Sequence, residues 1–448
     1  MLTHEQARDR AADLVSRALK AGAHAADAIY VADASTGVQV RLGALEDVQR
    51  SEGEEIGLRV FIGTQSASAS SSDLSADALA KLAERAVAMA GQAPEDQYAG
   101  LAPEELLMRG VPADLDLDDG ADVSPQTLRD RALAAEEAAR AVAGVTNSEG
   151  GSASAGRAVM ALATSTGFAA SYSGSSHGVS ASVLAGEGSA MQRDYAYHSV
   201  RHVADLDDAA MIGREAGEKA VARLNPIKLK SGPMPVILDP RVGGSMIGHL
   251  IGAITGGSIA RKTSFLLDAL ETEVFAPHIT IIDDPHRVRG LRSRPFDGEG
   301  LPTSRRAIID KGVLTTWLLD SASARQLGLT PTGHASRGVG GPPGAGASNL
   351  HMEAGTLSPA DLMADIAEGF YVTELIGQGV NGLTGDYSRG ASGFFIRNGQ
   401  IAEAVAEVTI AGNLKDMFRN LTPANDLTFR YGTNVPTLRL DGMTLAGD

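Results

Sequence analysis

Apolar residues recur every third or fourth position near the start of the chain, at Ala7, Ala11, Leu14, Val15, Ala18 and Leu19. That spacing predicts an amphipathic helix over 2–21, stopped at Gly22. The period then falls to two. Short strands are expected at 28–32, 37–42, 45–51, 56–62 and 66–72, with a turn at Gly63-Thr64 joining the last two. Helical spacing returns over 75–90. Residues 93–123, rich in Pro, Asp and Gly, form a long excursion. Ser124 caps and Pro125 opens a further helix that runs to about Ala143. A second strand series spans 145–203, punctuated at Gly150-Gly151, Thr166-Gly167, 174–176 and 186–188, before a helix over 205–224. The order helix, strands, helix, helix, strands, helix describes two similar halves, although no sequence identity marks a repeat.

The stretch 225–235 (NPIKLKSGPMP) reads as a linker. Beyond it come an apolar run at 236–238 and a glycine-spaced helix over 242–254. Strand-like patterns follow at 280–283, 306–310, 313–319, 370–375, 393–397, 400–410 and 427–431, with a low-complexity loop at 330–349. The expected fold class is therefore α/β (α+β): an N-terminal domain over 1–224 and a mostly β C-terminal domain over 236–448.

Composition narrows the function. The 39 Lys and Arg against 55 Asp and Glu give a net charge of −16, which disfavours nucleic acid and anionic membrane as partners. The chain has no cysteine, so neither a disulfide nor a thiolate metal ligand is available. The first helix is charged and lacks the apolar core of a signal peptide, and no apolar run approaches the ~20 residues of a membrane span. A soluble cytoplasmic protein is expected.

The densest signal is GQGVNGLTGDYSRGASG, with six glycines at 377, 379, 382, 385, 390 and 393 around Asp386, Tyr387, Ser388 and Arg389. Such glycine content is expected where backbone takes positive φ or approaches another chain or ligand closely. A second dense run, EVTIAGNLKDMFRNL, starts at Glu407. With GLRVFIGTQSASASSSDL from Gly57, GHLIGAITGGSIARKTSFLL from Gly248, PFDGEG from Pro295 and GVLTTWLL from Gly312, the chain resembles the TldD/PmbA family on its PmbA (TldE) branch. The resemblance covers nearly the whole chain. It implies a cytoplasmic assembly that processes unfolded peptides, in which a TldD-type metalloprotease subunit supplies the metal and this chain completes the substrate chamber as a heterodimer. A homodimer without that partner is also open. The family is tied to maturation of a peptide antibiotic and to degradation of an antitoxin.

Several motifs carry candidate chemistry. The metal-bearing branch has His-Glu-x-x-x-His on a helix and a distant Cys; here Gly244, Ser245 and His249 occupy the corresponding positions. No metal and no catalytic residue is therefore assigned to this chain, and His249 is read either as a packed helix residue or as a contact to substrate. His198 and His202 lie four apart on an alternating stretch, ~13 Å on a strand, which is too far to chelate. Gly174-Ser175-Ser176-His177-Gly178 matches G-x-S-x-G but lacks the following helix, so a hairpin turn is expected. GGSIARKT from Gly256 nearly matches a phosphate loop, with Arg261 where glycine is needed. Arg261 and Lys262 are read as solvated residues able to meet a peptide carboxylate. The six arginines between 287 and 306 pair with nearby acids or form a patch for a partner. The candidate substrate-binding set is Gly385, Asp386, Tyr387, Ser388, Arg389, His249, Arg261 and Lys262. Its alternative is a tight turn in which Asp386 pairs with Arg389. Two other functions stay open, a stand-alone peptidase with another constellation and a noncatalytic binding protein.

Overall fold

A computed structural model describes residues 1–447. In the N-terminal part, α1 (His4–Lys20) precedes three strands, β1 (Ala25–Arg41), β2 (Ala44–Ile62) and β3 (Gln65–Ser71), and then α2 (Ala76–Ala90). The pattern repeats as α3 (Pro125–Arg140), β4 (Val145–Thr164), β5 (Ala169–Ala185), β6 (Gln192–Val200) and α4 (Ala209–Ala222). The strands form one antiparallel sheet ordered β3-β2-β1-β4-β5-β6, so the two halves meet where β1 pairs with β4. Ser124 caps α3 as read from the sequence, and the structure adds a capping box of Thr3 with Gln6 on α1 and a Ser75 cap on α2. The apolar stripe of α1, from Ala7 to Ala18, packs with α2 against β1, β2 and β4. In the second half α3 and α4 cover β5 and β6.

The strands are fewer and longer than expected. The segments at 28–32 and 37–42 fuse into β1, and those at 45–51 and 56–62 into β2. Polar and glycine residues that read as breaks lie on extended, well-paired backbone. The same applies to Gly174–Gly178, which lies inside β5 rather than in a hairpin turn. The true turns in that half are at 165–168 and 186–191.

The C-terminal part is built mainly of strands. β7 (Gly232–Leu238) already begins within the stretch read as a linker and leads into α5 (Pro240–Ile254) and α6 (Gly256–Ala260). Next come β8 (Ile281–Asp283), β9 (Arg306–Asp310), β10 (Val313–Leu314), α7 (Ser321–Leu327), β11 (Ala335–Ser336), β12 (Gly344–Ala345) and β13 (Leu350–Met352). The chain finishes with α8 (Pro359–Met363), β14 (Glu368–Ile376), β15 (Asp386–Arg397), β16 (Gln400–Asn413), α9 (Leu414–Arg419), β17 (Leu421–Pro423), β18 (Thr433–Asn434) and β19 (Leu438–Ala446). β16, β15, β14, β7 and β19 pair in that order, and β16 also pairs with β19, which closes them into a ring. A five-stranded sheet, β10-β9-β8-β13-β18, lies beside it.

Two expectations fail here. Residues 427–431 are irregular backbone, because Arg430 and Tyr431 donate their amides to Asn434 Oδ1 instead of to a strand. The run 313–319 keeps only two strand residues before turning into the core. The 330–349 stretch is mostly loop, as expected, and it is tied down: β11 and β12 pair within it, and Arg337 is buried against the N-terminal sheet. Among the described residues no helix is long and apolar enough to cross a membrane.

Candidate functional site

A cleft of about 730 Å³ opens between the two parts of the molecule. On one side stands β6, the last strand of its sheet, with Arg193, Tyr195, Tyr197 and Ser199 turned into the cleft by the strand's period of two. On the other stand the first turn of α5, the end of β14, Arg389 of β15, and residues 430–433. A shallower groove of about 540 Å³ shares the β6 residues and continues over the sheet face opposite the helices. Its floor is made of small side chains, among them Ser152, Ser154, Gly178, Ser180 and Ser182.

The aromatic wall is continuous. Tyr195 and Tyr197 stack with centroids 6.2 Å apart, and Tyr197 meets Tyr431 at 5.7 Å. Burial, then the neighbouring Tyr197, push the Tyr431 phenol up to about 12. Arg241 lies over the Tyr195 ring at 5.0 Å and bonds Asp194 at 2.6 Å. Asp194 is buried on β6 and also receives Arg223 of the α4 C-terminus, at 3.3 Å. Burial pushes the Asp194 carboxyl up, but the bonds and charges of Arg241 and then Arg223 win and hold it below the usual carboxylate range. Arg223 reaches on to Glu374. This chain of charges fastens the edge strand to the C-terminal part beside the cleft.

The glycine-rich run divides into a loop and a strand. Residues 377–385 fold back on the chain, with Ser388 donating its amide to the Gly379 carbonyl at 2.7 Å. Gly385 has φ +83°, and a Cβ there would stand 3.2 Å from Asn413 Oδ1. From Asp386 onward the chain is β15, in register with β16. The alternative reading, a tight turn with Asp386 paired to Arg389, does not form, because strand residues three apart face opposite sides. Asp386 and Ser388 are exposed, and the Asp386 carboxylate is held by Thr384 and Asn413, which lower its pKa. Tyr387 and Arg389 face the other way, toward α5.

There they meet His249. The His249 and Tyr387 rings pack edge to face at 5.9 Å. Burial, then the Arg389 charge, depress the His249 pKa. Burial raises the Tyr387 phenol to about 12, although Arg389 opposes it. Three polar atoms in this group, His249 Nε2, Tyr387 Oη and Arg389 Nε, are buried without a hydrogen-bond partner. On the exposed side of α5, Gly248 and Gly252 leave the helix bare, and a Cβ at either would find nothing within 4 Å.

Of the sequence candidates, Arg389 lines the cleft, Tyr387 and His249 stand next to it, and Gly385, Asp386 and Ser388 support the loop and strand that carry it. Arg261 and Lys262 do not join them. GGSIA forms the short helix α6, not a loop, and both cations sit exposed just past its end. Much of the arginine-rich run is engaged by neighbouring groups: Arg289 bonds Asp116 at 2.6 Å and Asp205 at 3.1 Å, Arg294 bonds the carbonyls of Ala335 and Gly346, and Arg287 lies 3.9 Å over Phe429. His198 pairs with Asp207 and His202 with Asp116, so the two histidines go separate ways. Sequence reasoning missed Arg193, Arg241, Arg430 and Tyr431 as cleft residues. The one available signal was the alternation of Tyr195, Tyr197 and Ser199.

Comparison with known proteins places this architecture. Family models described as PmbA/TldA metallopeptidase domain 1, central domain and C-terminal domain match residues 26–90, 118–224 and 231–447. The metalloprotease PmbA of Escherichia coli O157:H7 is 41% identical over 440 residues, covering 97% of this chain and 96% of that protein. The chain belongs to the PmbA/TldD family. A PmbA homologue of Haemophilus influenzae is 37% identical, with 99% of this chain and 97% of that one covered. Among solved structures, a Bacteroides thetaiotaomicron protein described as a candidate modulator of DNA gyrase superposes with a TM-score of 0.92 at 28% identity, covering 100% of both chains. TldE of Thermococcus kodakarensis shares the fold, with a TM-score of 0.88 at 20% identity over 98% of this chain and 100% of that one.

Proposed function

We propose that this chain is a PmbA/TldE-type subunit of a cytoplasmic peptide-processing metalloprotease. It encloses and holds unfolded, extended peptide, while a TldD-type partner supplies the metal. The observation that carries this reading is the cleft beside the terminal strand β6, about 730 Å³ with tyrosines on one wall and a small-residue groove leading into it. A terminal strand and a bare sheet face suit an extended chain, which binds through main-chain hydrogen bonds and alternate side-chain pockets.

The family descriptions imply a metal, and its donors would stand on α5, where the metal-bearing branch carries its histidines. α5 offers Gly244, Ser245 and His249, and the His249 ring faces Tyr387 with the Arg389 cation beside it. A catalytic zinc site needs three protein ligands. Among the described residues no group of three His, Cys, Asp or Glu side chains converges. The residues present do not fit a metal. What this chain contributes is binding and orientation, which lower the entropy cost of presenting a floppy peptide to a distant reacting centre.

The test is cleavage of an unstructured peptide by the purified chain, alone and with a TldD-type subunit, with metal measured on the same samples. Turnover and bound metal only in the mixture support the reading. Turnover by the metal-free chain alone would replace it with a stand-alone peptidase. Absence of turnover in both, with the two subunits associated, would favour a noncatalytic binding protein.

A further inference from the structure

Five arginines line the cleft, Arg193, Arg241, Arg292, Arg389 and Arg430, against one carboxylate, Glu374. The chain as a whole carries a net charge of −16. A cleft with the opposite sign to its protein concentrates anions, because its low-dielectric walls focus the field. Three of the arginines are already engaged: Arg241 by Asp194, Arg430 by Asp207 and Arg193 by Glu149. Glu374 is held by Arg223. Arg292 and Arg389 have no ion pair among the described residues.

Arg389 also stands at the front of the group of unpaired atoms. Its Nε, Tyr387 Oη and His249 Nε2 are all buried and lack partners. Tyr387 is only 2% exposed, and Arg389 follows two residues later on the same face of β15. Buried polar atoms are rarely left unsatisfied, and three together call for a reason. The phenol both donates and accepts and faces the Arg389 side chain, whereas the guanidinium only donates. No carboxylate among the described residues balances the Arg389 charge, which fits an anionic ligand. Room exists for one: Gly244 presents no side chain to the cleft, and a Cβ there would find only Thr433, at 3.6 Å.

We propose that the Arg389 corner of the cleft, whose lining also includes Arg292, binds a carboxylate of the peptide, either an acidic side chain or the free C-terminus. The proposal rests on the reading of the cleft as a peptide site and names what that site selects. Arg389 forms the charge-assisted bond, and Tyr387 and His249 pack behind it.

Fluorescence anisotropy tests it with three labelled unstructured peptides on one sequence. One has a central Glu and an amidated end, one a central Gln and a free C-terminus, and one a central Gln and an amidated end. Each is titrated into the whole chain, alone and with a TldD-type subunit. At least one carboxylate-bearing peptide is expected to bind about tenfold or more tightly than the carboxylate-free one, in a salt-sensitive way. Which of the two gains identifies the source. R389Q should abolish the difference between the peptides, and R292Q, which lies on irregular backbone outside the ring of strands, should reduce it. Equal binding of all three peptides, or an equal loss for all three in both variants, would overturn the carboxylate proposal and leave the peptide reading standing. No binding of any peptide in either setting would overturn both.

Discussion

The guanidinium of Arg337 and the carboxylate of Asp27 meet inside the protein although 310 positions separate them in the chain. Arg59, the cross-strand neighbour of Asp27, grips the same carboxylate through Nε at 3.1 Å. The two arginines overcome the cost of burying Asp27 and hold its pKa below the usual range. Around this pair residues 337–339 meet the N-terminal sheet, while His334 and Ser348 of the same segment are held by Asp283. A Cβ on Gly57 would fall 2.1 Å from the Val339 carbonyl oxygen, so the backbones touch there. The segment joins the two parts of the molecule.

Removing the shared acid should cost more than removing either base. D27A leaves two buried guanidiniums without their partner and is expected to destabilise the chain by about 3–5 kcal/mol. R337M leaves Asp27 paired with Arg59 and should cost about 1–3 kcal/mol. Urea unfolding checks the order, and equal costs for the two variants would show that the pair is not what fastens the segment.

Glu299 lies beside this network, its Oε2 accepting from the amide and hydroxyl of Ser321 at 2.8 and 2.7 Å. Burial pushes its carboxyl up to about 7, against the pull of Arg59 and with a further push from Asp297. The folded state therefore keeps a proton that the unfolded chain has lost. Stability from this group is complete below the unfolded pKa near 4.5 and falls as pH rises through about 7. Thermal melts from about pH 5 to about pH 8 should show the wild type losing more stability than E299Q, by roughly 3 kcal/mol. Parallel curves would remove Glu299 as the source.

Much of the N-terminal fold was legible because local signals agree there. Apolar stripes, the Ser124 cap and period-two runs all point to the helix and strand order that the structure has. Strand lengths were not legible: serine and glycine in β2, β4 and β5 imitate turns, and only cross-strand pairing shows otherwise. Ring closure between β16 and β19 rests on three residue pairs between distant segments, for which no local pattern exists. At the site, residue type was readable and facing was not. The glycine run pointed to Tyr387 and Arg389, but only the strand β15 separates them from Asp386 and Ser388. The arginines of the cleft come from five separated segments, so their convergence is a property of the fold alone.

Asp194 should control the cleft from behind. D194N weakens the hold on Arg241 and Arg223 and is expected to cost about 3–5 kcal/mol. The carboxyl's pKa is depressed, so its contribution is present above the unfolded value of 3.8 and lost as pH falls through the folded one. D194N should accordingly flatten the acid limb of the stability profile. It should also weaken peptide binding, since Arg241 and the Tyr195 ring it covers lose their anchor; unchanged binding would argue that the cleft wall is set elsewhere.

Two glycines give opposite expectations for the same change. Gly393 lies in β15 where a Cβ would stand 1.9 Å from the Tyr371 carbonyl oxygen of β14. That contact is with backbone, so G393A must push strands of the closed ring apart, at a cost of about 3 kcal/mol or more. Gly248 is exposed in the interior of α5, with nothing within 4 Å of the added methyl group. G248A should stabilise the isolated chain by about 0.5–1 kcal/mol, because alanine gives up less backbone entropy in a helix. Denaturant unfolding of both variants at several protein concentrations checks this. A G248A chain that gains stability only when dilute would mean that a second chain covers this bare helix face in solution.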